Sequence, residues 1–318
     1  MAGPHPSVAA TRLAVRRCLA DLPSGSTVVV ACSGGPDSLA LVAATVHEAR
    51  AGGWRVVGAT VDHGMQDGSQ AQAARVVEQM ADIGVDETLA ARVTVEPGGL
   101  GPEAAARRAR YAVLDQVAEH TAAGVVLLGH TRDDQAETVL LGLARGSGAR
   151  SLAGMRRAFD VYRRPFLDLP RDDTVTACQV LGLDAWDDPH NSDPGYARVR
   201  VRRSVLPVLE EHLGPGVAAA LARTAQQLRA DADCLDDLAD ERYAALLADG
   251  GLPVAALAAL PTALRTRLLR RLALDALVTA WRGQKWVDLP GHLRGVRREG
   301  CIEVVPADTG TGTTGATS

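Results

Sequence analysis

One short segment constrains the fold of this chain more than any other. Residues 28–38 read Val-Val-Val-Ala-Cys-Ser-Gly-Gly-Pro-Asp-Ser, and an apolar, helix-like pattern follows from Leu39. The valines predict a buried strand, and the glycines predict a tight turn that leads into a helix. Backbone N–H groups in such a turn approach an anion closely, and a helix N-terminus favours negative charge. The segment therefore predicts a phosphate-binding loop between a strand and a helix.

This loop differs from the common Walker loop, which needs a lysine, because the chain has a single lysine at position 285. It offers serine hydroxyls instead, and Asp37 suits a magnesium ion that phosphates share. A plain strand–helix turn with a serine cap is the alternative, although such a turn rarely needs all of these features together. We assign nucleotide binding to Ser33, Gly34, Gly35, Pro36, Asp37 and Ser38.

Strand-like and helix-like segments alternate through the first half of the chain. The predicted strands cover 28–32, 56–61, 91–95 and 125–129, and the predicted helices cover 8–20, 38–51, 69–83, 103–121 and 132–145. Apolar strands that alternate with helices predict an α/β fold, with a parallel, Rossmann-like sheet covered by helices on both faces. In such sheets ligands bind beyond the carboxyl ends of the strands.

The pattern changes after about residue 205. Residues 207–248 and 253–281 read as helices, and short β-like segments follow at 286–290, 293–297 and 302–305. The last twelve residues are rich in threonine and glycine, which predicts disorder. We predict a catalytic domain over 1–205, a smaller and mostly helical substrate-binding domain over 206–306, and a disordered tail over 307–318.

The spacing of the cysteines and the net charge limit the classes of function that this chain could have. The five cysteines are scattered without a Cys-x-x-Cys pair, so neither zinc nor an iron–sulfur cluster is indicated. Such dispersed cysteines suit a reducing cytoplasm, and no apolar stretch is long enough to span a membrane. The net charge of −4 does not indicate nucleic-acid binding, but local arginine clusters are enough for phosphate contacts.

A second segment carries several reactive side chains. Residues 129–138 read Gly-His-Thr-Arg-Asp-Asp-Gln-Ala-Glu-Thr and follow a predicted strand directly. Asp133 and Glu137 are four positions apart, which places them on one helical face. The carboxylates could be simple helix caps. Their concentration at a strand end favours metal binding, amine binding or proton transfer. The catalytic candidates are Asp37, His130, Asp133, Asp134 and Glu137.

Two weaker signals also lie near predicted strand ends. Asp62 and His63 follow the second strand, where they either cap a loop or shape an adenosine pocket. Glu103, Arg107 and Arg110 share one face of a helix, although surface ion pairs of this kind are common and weak.

Spaced arginines follow residue 197. If residues 198–202 are extended, Arg198, Arg200 and Arg202 point to one side. If they are helical, Arg198 and Arg202 share a face instead. Either arrangement makes a stripe suited to phosphate.

Together and in this order, these motifs resemble the tRNA(Ile)-lysidine synthases, a family of PP-loop ATP pyrophosphatases. The matching segments are 33–38, 62–63, 103–111, 129–138, 143–148, 164–167 and 188–202. The resemblance implies that ATP with Mg²⁺ adenylates the C2 carbonyl oxygen of the wobble cytidine, position 34, in an isoleucine tRNA with a CAU anticodon. The ε-amine of free L-lysine then displaces AMP and forms lysidine, so the tRNA changes identity from methionine to isoleucine.

The resemblance also implies roles for individual residues. The loop from Ser33 to Ser38 would hold pyrophosphate, and Asp37 and Asp133 would lie near magnesium. Asp62 and His63 would bind the nucleotide, and His130, Asp134 and Glu137 would line the adenylate and lysine sites. The arginines expected to meet phosphate or tRNA are Arg107, Arg110, Arg198 and Arg202. Because the large C-terminal extension of some members is absent, a homodimer is one way to complete tRNA recognition.

Other functions remain open at this point. A PP-loop tRNA thiolase would normally carry paired cysteines. A small-molecule amide synthetase would not need the arginine stripes. A nucleotide-binding regulatory module without catalysis would not need the carboxylates at 133–137, which are all present.

Overall fold

The computed structural model describes residues 3–62, 64, 68–93, 102–146, 148–188, 192–248, 252–272, 286–289, 293–298 and 301–306. The chain forms two compact units, Met1–Leu228 and Arg229–Ser318. The boundary at residue 205 between a catalytic domain and a smaller helical domain stays a prediction.

The first unit alternates strands and helices, as predicted. Its strands are β1 (Thr27–Ala31), β2 (Arg55–Asp62), β3 (Glu87–Arg92), β4 (Ala123–Leu127), β5 (Ala158–Phe159) and β6 (Tyr162–Arg163). Its helices are α1 (Pro6–Cys18), α2 (Pro36–Gly52), α3 (Ser69–Ile83), α4 (Pro102–His120), α5 (Arg132–Ala144), α6 (Ala149–Leu152), α7 (Arg171–Val180), α8 (Ala197–Arg200), a π-helical turn (Val201–Val205), α9 (Leu206–Leu213) and the start of α10 (Val217–Ala248).

The strands form one sheet in the order β3-β2-β1-β4-β6-β5. All neighbouring strands are parallel except β5 and β6. Strand β3 begins at residue 87 rather than at 91, because it is a half-exposed edge strand that needs no continuous apolar run. Helix α7 was not predicted.

Both faces of the sheet are covered, as the fold class requires. In β1, Val28 and Val30 point to one side and pack with residues of α1, α2, α3 and α7. Val29 points to the other side and packs with Leu114 of α4. Alternate residues of a strand face opposite sides of its sheet, so this one apolar strand joins both cores. The predicted fold class is confirmed.

Helix α1 closes the first of these layers. It packs against α2 and α7, and the Ser7 hydroxyl donates a 2.9 Å hydrogen bond to Asp173 Oδ1 in α7. The N-terminal helix and the helix that follows the last strand therefore support each other.

The strand order places two functional segments side by side. Strand β1 lies between β2 and β4: the chain runs outward from β1 through β2 to β3 on one side, and then returns to add β4 on the other side of β1. Such a switch point opens a crevice at the carboxyl ends of the strands. The segments after β1 and β4 meet there: a Cβ atom at Gly129 would lie 3.1 Å from the backbone carbonyl of Asp37.

The second unit contains the remainder of α10, two shorter helices and a small sheet. Helices α11 (Val254–Ala259) and α12 (Thr262–Leu272) accompany strands β7 (Leu252–Pro253), β8 (Val287–Leu289), β9 (Leu293–Arg298) and β10 (Cys301–Pro306). The strands pair antiparallel in the order β7-β10-β9-β8. The end of the helix predicted over 253–281 and the predicted disordered tail lie outside the described residues. Within the described part of the chain, no helix is long and apolar enough to cross a membrane.

Candidate active site

Hydrogen bonds among its own residues fix the shape of the loop after β1. Ser38 Oγ accepts a hydrogen bond from Ser33 N at 3.1 Å and donates one to Gly35 O at 2.9 Å. Gly34 has φ +83°, and a Cβ atom there would lie 2.6 Å from Val76 Cγ2, so this position requires glycine. Helix α2 begins at Pro36, directly after the turn. The structure therefore has the glycine-rich turn and helix N-terminus that suit a phosphate group.

Asp37 lies in the first turn of α2 and is held from α7. The Thr174 hydroxyl donates a hydrogen bond to its Oδ1 atom. Arg171 Nε lies 3.3 Å from its Oδ2 atom. Burial raises the pKa of Asp37, although the nearby arginine opposes this shift. Burial therefore disfavours the ionised form of Asp37, and a cation close to the carboxylate favours it.

Asp134 has both a structural contact and a site-facing one. Its Oδ2 atom accepts hydrogen bonds from Thr131 N at 2.8 Å and Thr131 Oγ1 at 3.0 Å, in the manner of a capping box. Its Oδ1 atom accepts from Arg171 Nη2 at 2.8 Å and Arg202 Nη2 at 3.2 Å. Burial alone would raise the pKa of Asp134, but these partners lower it to about 2. Asp134 is thus a fixed anion.

Asp133, like Asp37, is contacted by the start of helix α7. Its Oδ2 atom accepts a 2.8 Å hydrogen bond from the backbone N–H of Arg171, the first residue of α7. Among the described residues, no group of three histidine, cysteine or acidic side chains is placed to hold a metal ion. Magnesium commonly uses only one or two carboxylates together with substrate phosphates and water. Asp37 and Asp133 therefore fit as donors for such an ion.

Glu137 is fully buried between two arginines. Arg202 donates hydrogen bonds to both of its carboxylate oxygens, at 2.6 and 3.1 Å. Arg198 Nε lies 3.2 Å from Oε2, and Arg198 Nη2 donates to Thr138 Oγ1 at 2.9 Å. Burial raises the pKa of Glu137, and Arg202 opposes the shift. Of the two arrangements considered for residues 198–202, the helical one is correct, since Arg198 and Arg202 share this carboxylate.

His130 is a neutral imidazole with one nitrogen already engaged. Arg164 Nε donates a 3.2 Å hydrogen bond to His130 Nδ1. Burial lowers the pKa of His130 to about 3, and Arg164 adds to the shift. Because Nδ1 accepts a hydrogen bond, we assign the ring proton to Nε2. The Nε2–H group is then a hydrogen-bond donor at physiological pH.

This histidine should make the folded protein sensitive to mild acid. Its pKa of about 3 in the folded protein lies below the ordinary histidine pKa of 6.5. Between those limits the unfolded chain binds a proton that the folded chain does not, so the free energy of unfolding falls as the pH drops. The loss attributable to His130 is about 1.4 kcal/mol per pH unit. Denaturant titrations of the wild type and His130→Asn at pH 7 and pH 5 measure it.

The variant should show the shallower dependence on pH. His212→Asn, which changes an exposed histidine at the end of α9, is the control and should follow the wild type. Equal slopes for the wild type and His130→Asn would contradict the assignment.

Four further residues were predicted for the nucleotide or tRNA sites. Asp62 accepts a hydrogen bond from Gly64 N at 2.8 Å and lies 3.7 Å from Arg92 Nε, contacts that fit a loop cap. His63 lies outside the described residues. Arg107 is exposed on α4, with its guanidinium 5.2 Å from the centre of the Tyr111 ring. Arg110 is on the same helix and also exposed. Their roles in binding nucleotide or tRNA stay predictions.

Sequence reasoning missed two functional side chains, Arg171 and Thr174. Pro170 followed by Arg-Asp-Asp is a helix-start signal that could have located α7. The partners of these side chains could not have been read locally, since Asp37 is 137 positions from Thr174.

Comparisons with known proteins agree with this geometry. A profile of the PP-loop domain matches residues 10–209. The tRNA(Ile)-lysidine synthase of Thermobifida fusca is 54% identical over 97% of this chain and 100% of that protein. The chain belongs to the tRNA(Ile)-lysidine synthase family. The Streptomyces coelicolor tRNA(Ile)-lysidine synthase is 49% identical over 95% of this chain and 99% of its own length.

A solved structure supports the same fold at greater distance. The U34-tRNA thiolase NcsA from Methanococcus maripaludis, described with its [4Fe-4S] cluster, superposes with a TM-score of 0.59. It is 19% identical, and the match covers 70% of this chain and 80% of that one. This likeness concerns the fold alone. The PP-loop domain supports the predicted use of ATP by this member of the tRNA(Ile)-lysidine synthase family.

Proposed function

We propose that this protein ligates lysine to C2 of the wobble cytidine, position 34, in tRNA(Ile) with a CAU anticodon, and converts ATP to AMP and pyrophosphate. One observation carries the proposal for a chain of this family. The phosphate-binding loop and the acidic segment after β4 meet at one crevice, where Arg171 contacts Asp37, Asp133 and Asp134. An adenylated base and an incoming amine both need such a junction of phosphate and carboxylate groups.

In the first step, the C2 carbonyl oxygen attacks the α-phosphate of ATP and pyrophosphate leaves. The turn at Gly34 and Gly35, together with the N-terminus of α2, receives the departing phosphates. Asp37 and Asp133 would hold Mg²⁺, which supplies neutralising charge to the pyrophosphate. The Nε2–H group of His130 is available to donate to an oxygen of the adenylate.

In the second step, the ε-amine of lysine attacks C2 and AMP departs with the former carbonyl oxygen. Lysine enters as an ammonium ion and must lose a proton. His130 is a poor acceptor, since its pKa is about 3. Asp134 is equally poor with a pKa of about 2. Burial raises the pKa of Glu137, which makes this carboxylate the better acceptor.

Glu137 becomes available when its two arginines exchange partners. Arg198 and Arg202 hold Glu137 in this structure. A guanidinium binds phosphate as readily as carboxylate, so the tRNA backbone can compete for both side chains. Binding of tRNA would thus uncover the carboxylate that receives lysine. Free lysine, Mg²⁺ and a homodimer are parts of this proposal.

The direct test is incorporation of radiolabelled lysine. Purified protein, ATP and Mg²⁺ are incubated with a transcript of tRNA(Ile) that carries a CAU anticodon, and a methionine tRNA transcript is the control. We expect label in the first tRNA and none in the second. Pyrophosphate release with another acceptor and no lysine transfer would overturn the lysidine proposal and favour a thiolase or an amide synthetase.

A further inference from the structure

Arg171 contacts three carboxylates of the candidate site. Its Nη2 atom donates to Asp134 Oδ1, its backbone N–H donates to Asp133 Oδ2, and its Nε atom lies 3.3 Å from Asp37 Oδ2. Two of these three carboxylates are the proposed metal ligands. A cation of the protein therefore already occupies the neighbourhood in which a metal would bind.

The charges of the cluster are nearly balanced without a metal. The guanidiniums of Arg171, Arg198 and Arg202 contact the carboxylates of Asp37, Asp134 and Glu137. A fourth carboxylate, Asp133, accepts a hydrogen bond from the backbone N–H of Arg171. Four negative charges against three positive ones leave a net charge of about −1, which attracts a free divalent cation weakly. A metal on Asp37 would also meet a guanidinium at contact distance. A metal that arrives with a nucleotide brings compensating negative charge.

The hydrogen bonding of Arg171 is incomplete on the side of Asp37. Its Nε atom is buried and makes no hydrogen bond within the described part of the chain, although it lies 3.3 Å from the carboxylate. A buried donor without a partner is costly, and it is suited to an acceptor that arrives with a ligand. A phosphate oxygen is such an acceptor.

We propose that Arg171 is a built-in counter-ion of Asp37 that withholds this carboxylate from free divalent metal, so that metal enters the site of Asp37 and Asp133 only together with nucleotide. The inference rests on the proposed metal pair. It makes Arg171 a positioning residue, which holds three carboxylates in place before the nucleotide binds and then has a donor for its phosphates.

Mn²⁺ binding in the absence of nucleotide tests this role, with unbound Mn²⁺ followed by electron paramagnetic resonance. Arg171→Met should bind Mn²⁺ at least about tenfold more tightly than the wild type, because one positive charge is removed at contact distance. Arg171→Lys keeps the charge and should resemble the wild type. A merely structural role predicts weaker binding in both variants. Tight binding of Mn²⁺ alone by the wild type, or no gain in Arg171→Met, would overturn the inference.

Controls separate this result from misfolding and from failure of the proposed function. Arg16→Met also removes an arginine from a buried carboxylate, Glu48, and should bind Mn²⁺ like the wild type. Arg171→Gln gives the same comparison if the methionine variant does not fold, as judged by circular dichroism. Equilibrium dialysis of a non-hydrolysable ATP analogue, with and without Mn²⁺, tests the metal pair itself. If the wild type binds the analogue with the same affinity with and without Mn²⁺, the proposed metal site is wrong, independently of the role of Arg171.

Discussion

Asp37→Asn should lower the rate of ATP-dependent pyrophosphate release by about 10³-fold, equivalent to about 4 kcal/mol of lost transition-state stabilisation. The carboxylate lies in the first turn of α2, directly after the phosphate-binding turn. Asparagine is nearly isosteric and can still accept the Thr174 hydrogen bond, so the loop should keep its shape. Asparagine lacks the negative charge with which Asp37 contacts the Arg171 guanidinium and would bind a metal ion.

Pyrophosphate release by purified variants, measured with tRNA present, gives the comparison. Asp172→Asn is the matched control, because Asp172 is an exposed carboxylate on α7 next to Arg171. That variant should retain full activity. Wild-type rates for Asp37→Asn would remove Asp37 from the phosphate site.

Glu137→Gln should separate the two half-reactions. We expect adenylation and pyrophosphate release to persist while lysine transfer falls by about 100-fold, since a positioned general base contributes about 10²-fold or more to the rate. The change leaves Arg198 and Arg202 without their shared anion. With tRNA bound to the two arginines, no carboxylate would remain at this position to bind the lysine ammonium ion or to accept its proton.

Glu48→Gln provides a control of equal burial and equal chemistry. Glu48 is 4% exposed and accepts two hydrogen bonds from Arg16, but it lies about 16 Å further along α2 than Asp37. This variant should lose stability without losing lysine transfer relative to pyrophosphate release. If Glu137→Gln lowers both half-reactions equally, Glu137 acts on nucleotide rather than on lysine.

The parts of the fold that follow from local pattern could be predicted from the sequence. The valines of β1 and the turn after it are buried and arranged as their pattern requires. Edge strand β3 and helix α7 were harder. The residues of β3 are half-exposed, and α7 is only ten residues long with apolar and polar positions mixed. Tertiary packing against α1 and α2, rather than local preference, selects α7.

The acidic residues of the site could be predicted from the sequence, but their contacts with arginines could not. Asp133, Asp134 and Glu137 stand out because they cluster at a strand end. The arginines that contact them come from 37 to 68 positions later in the chain. Hydrophobic periodicity in the sequence does not indicate contacts between residues so far apart in the chain. Arg198 and Arg202 were recognised as phosphate-binding candidates, yet their contacts with Glu137 depend on a helical turn that the sequence left open.

The packing of α1 against α7 has a consequence for biosynthesis. A ribosome delivers α1 first, but the surface that covers it is completed only after residue 180 has emerged. The Ser7–Asp173 hydrogen bond spans 166 positions, so a nascent chain must hold its first helix without its final partner for most of the synthesis of this unit. Closure of the layer, and with it the arrival of Arg171 and Thr174 at Asp37, is therefore a late event in translation. An unfinished chain has the phosphate-binding loop but not the side chains that hold Asp37.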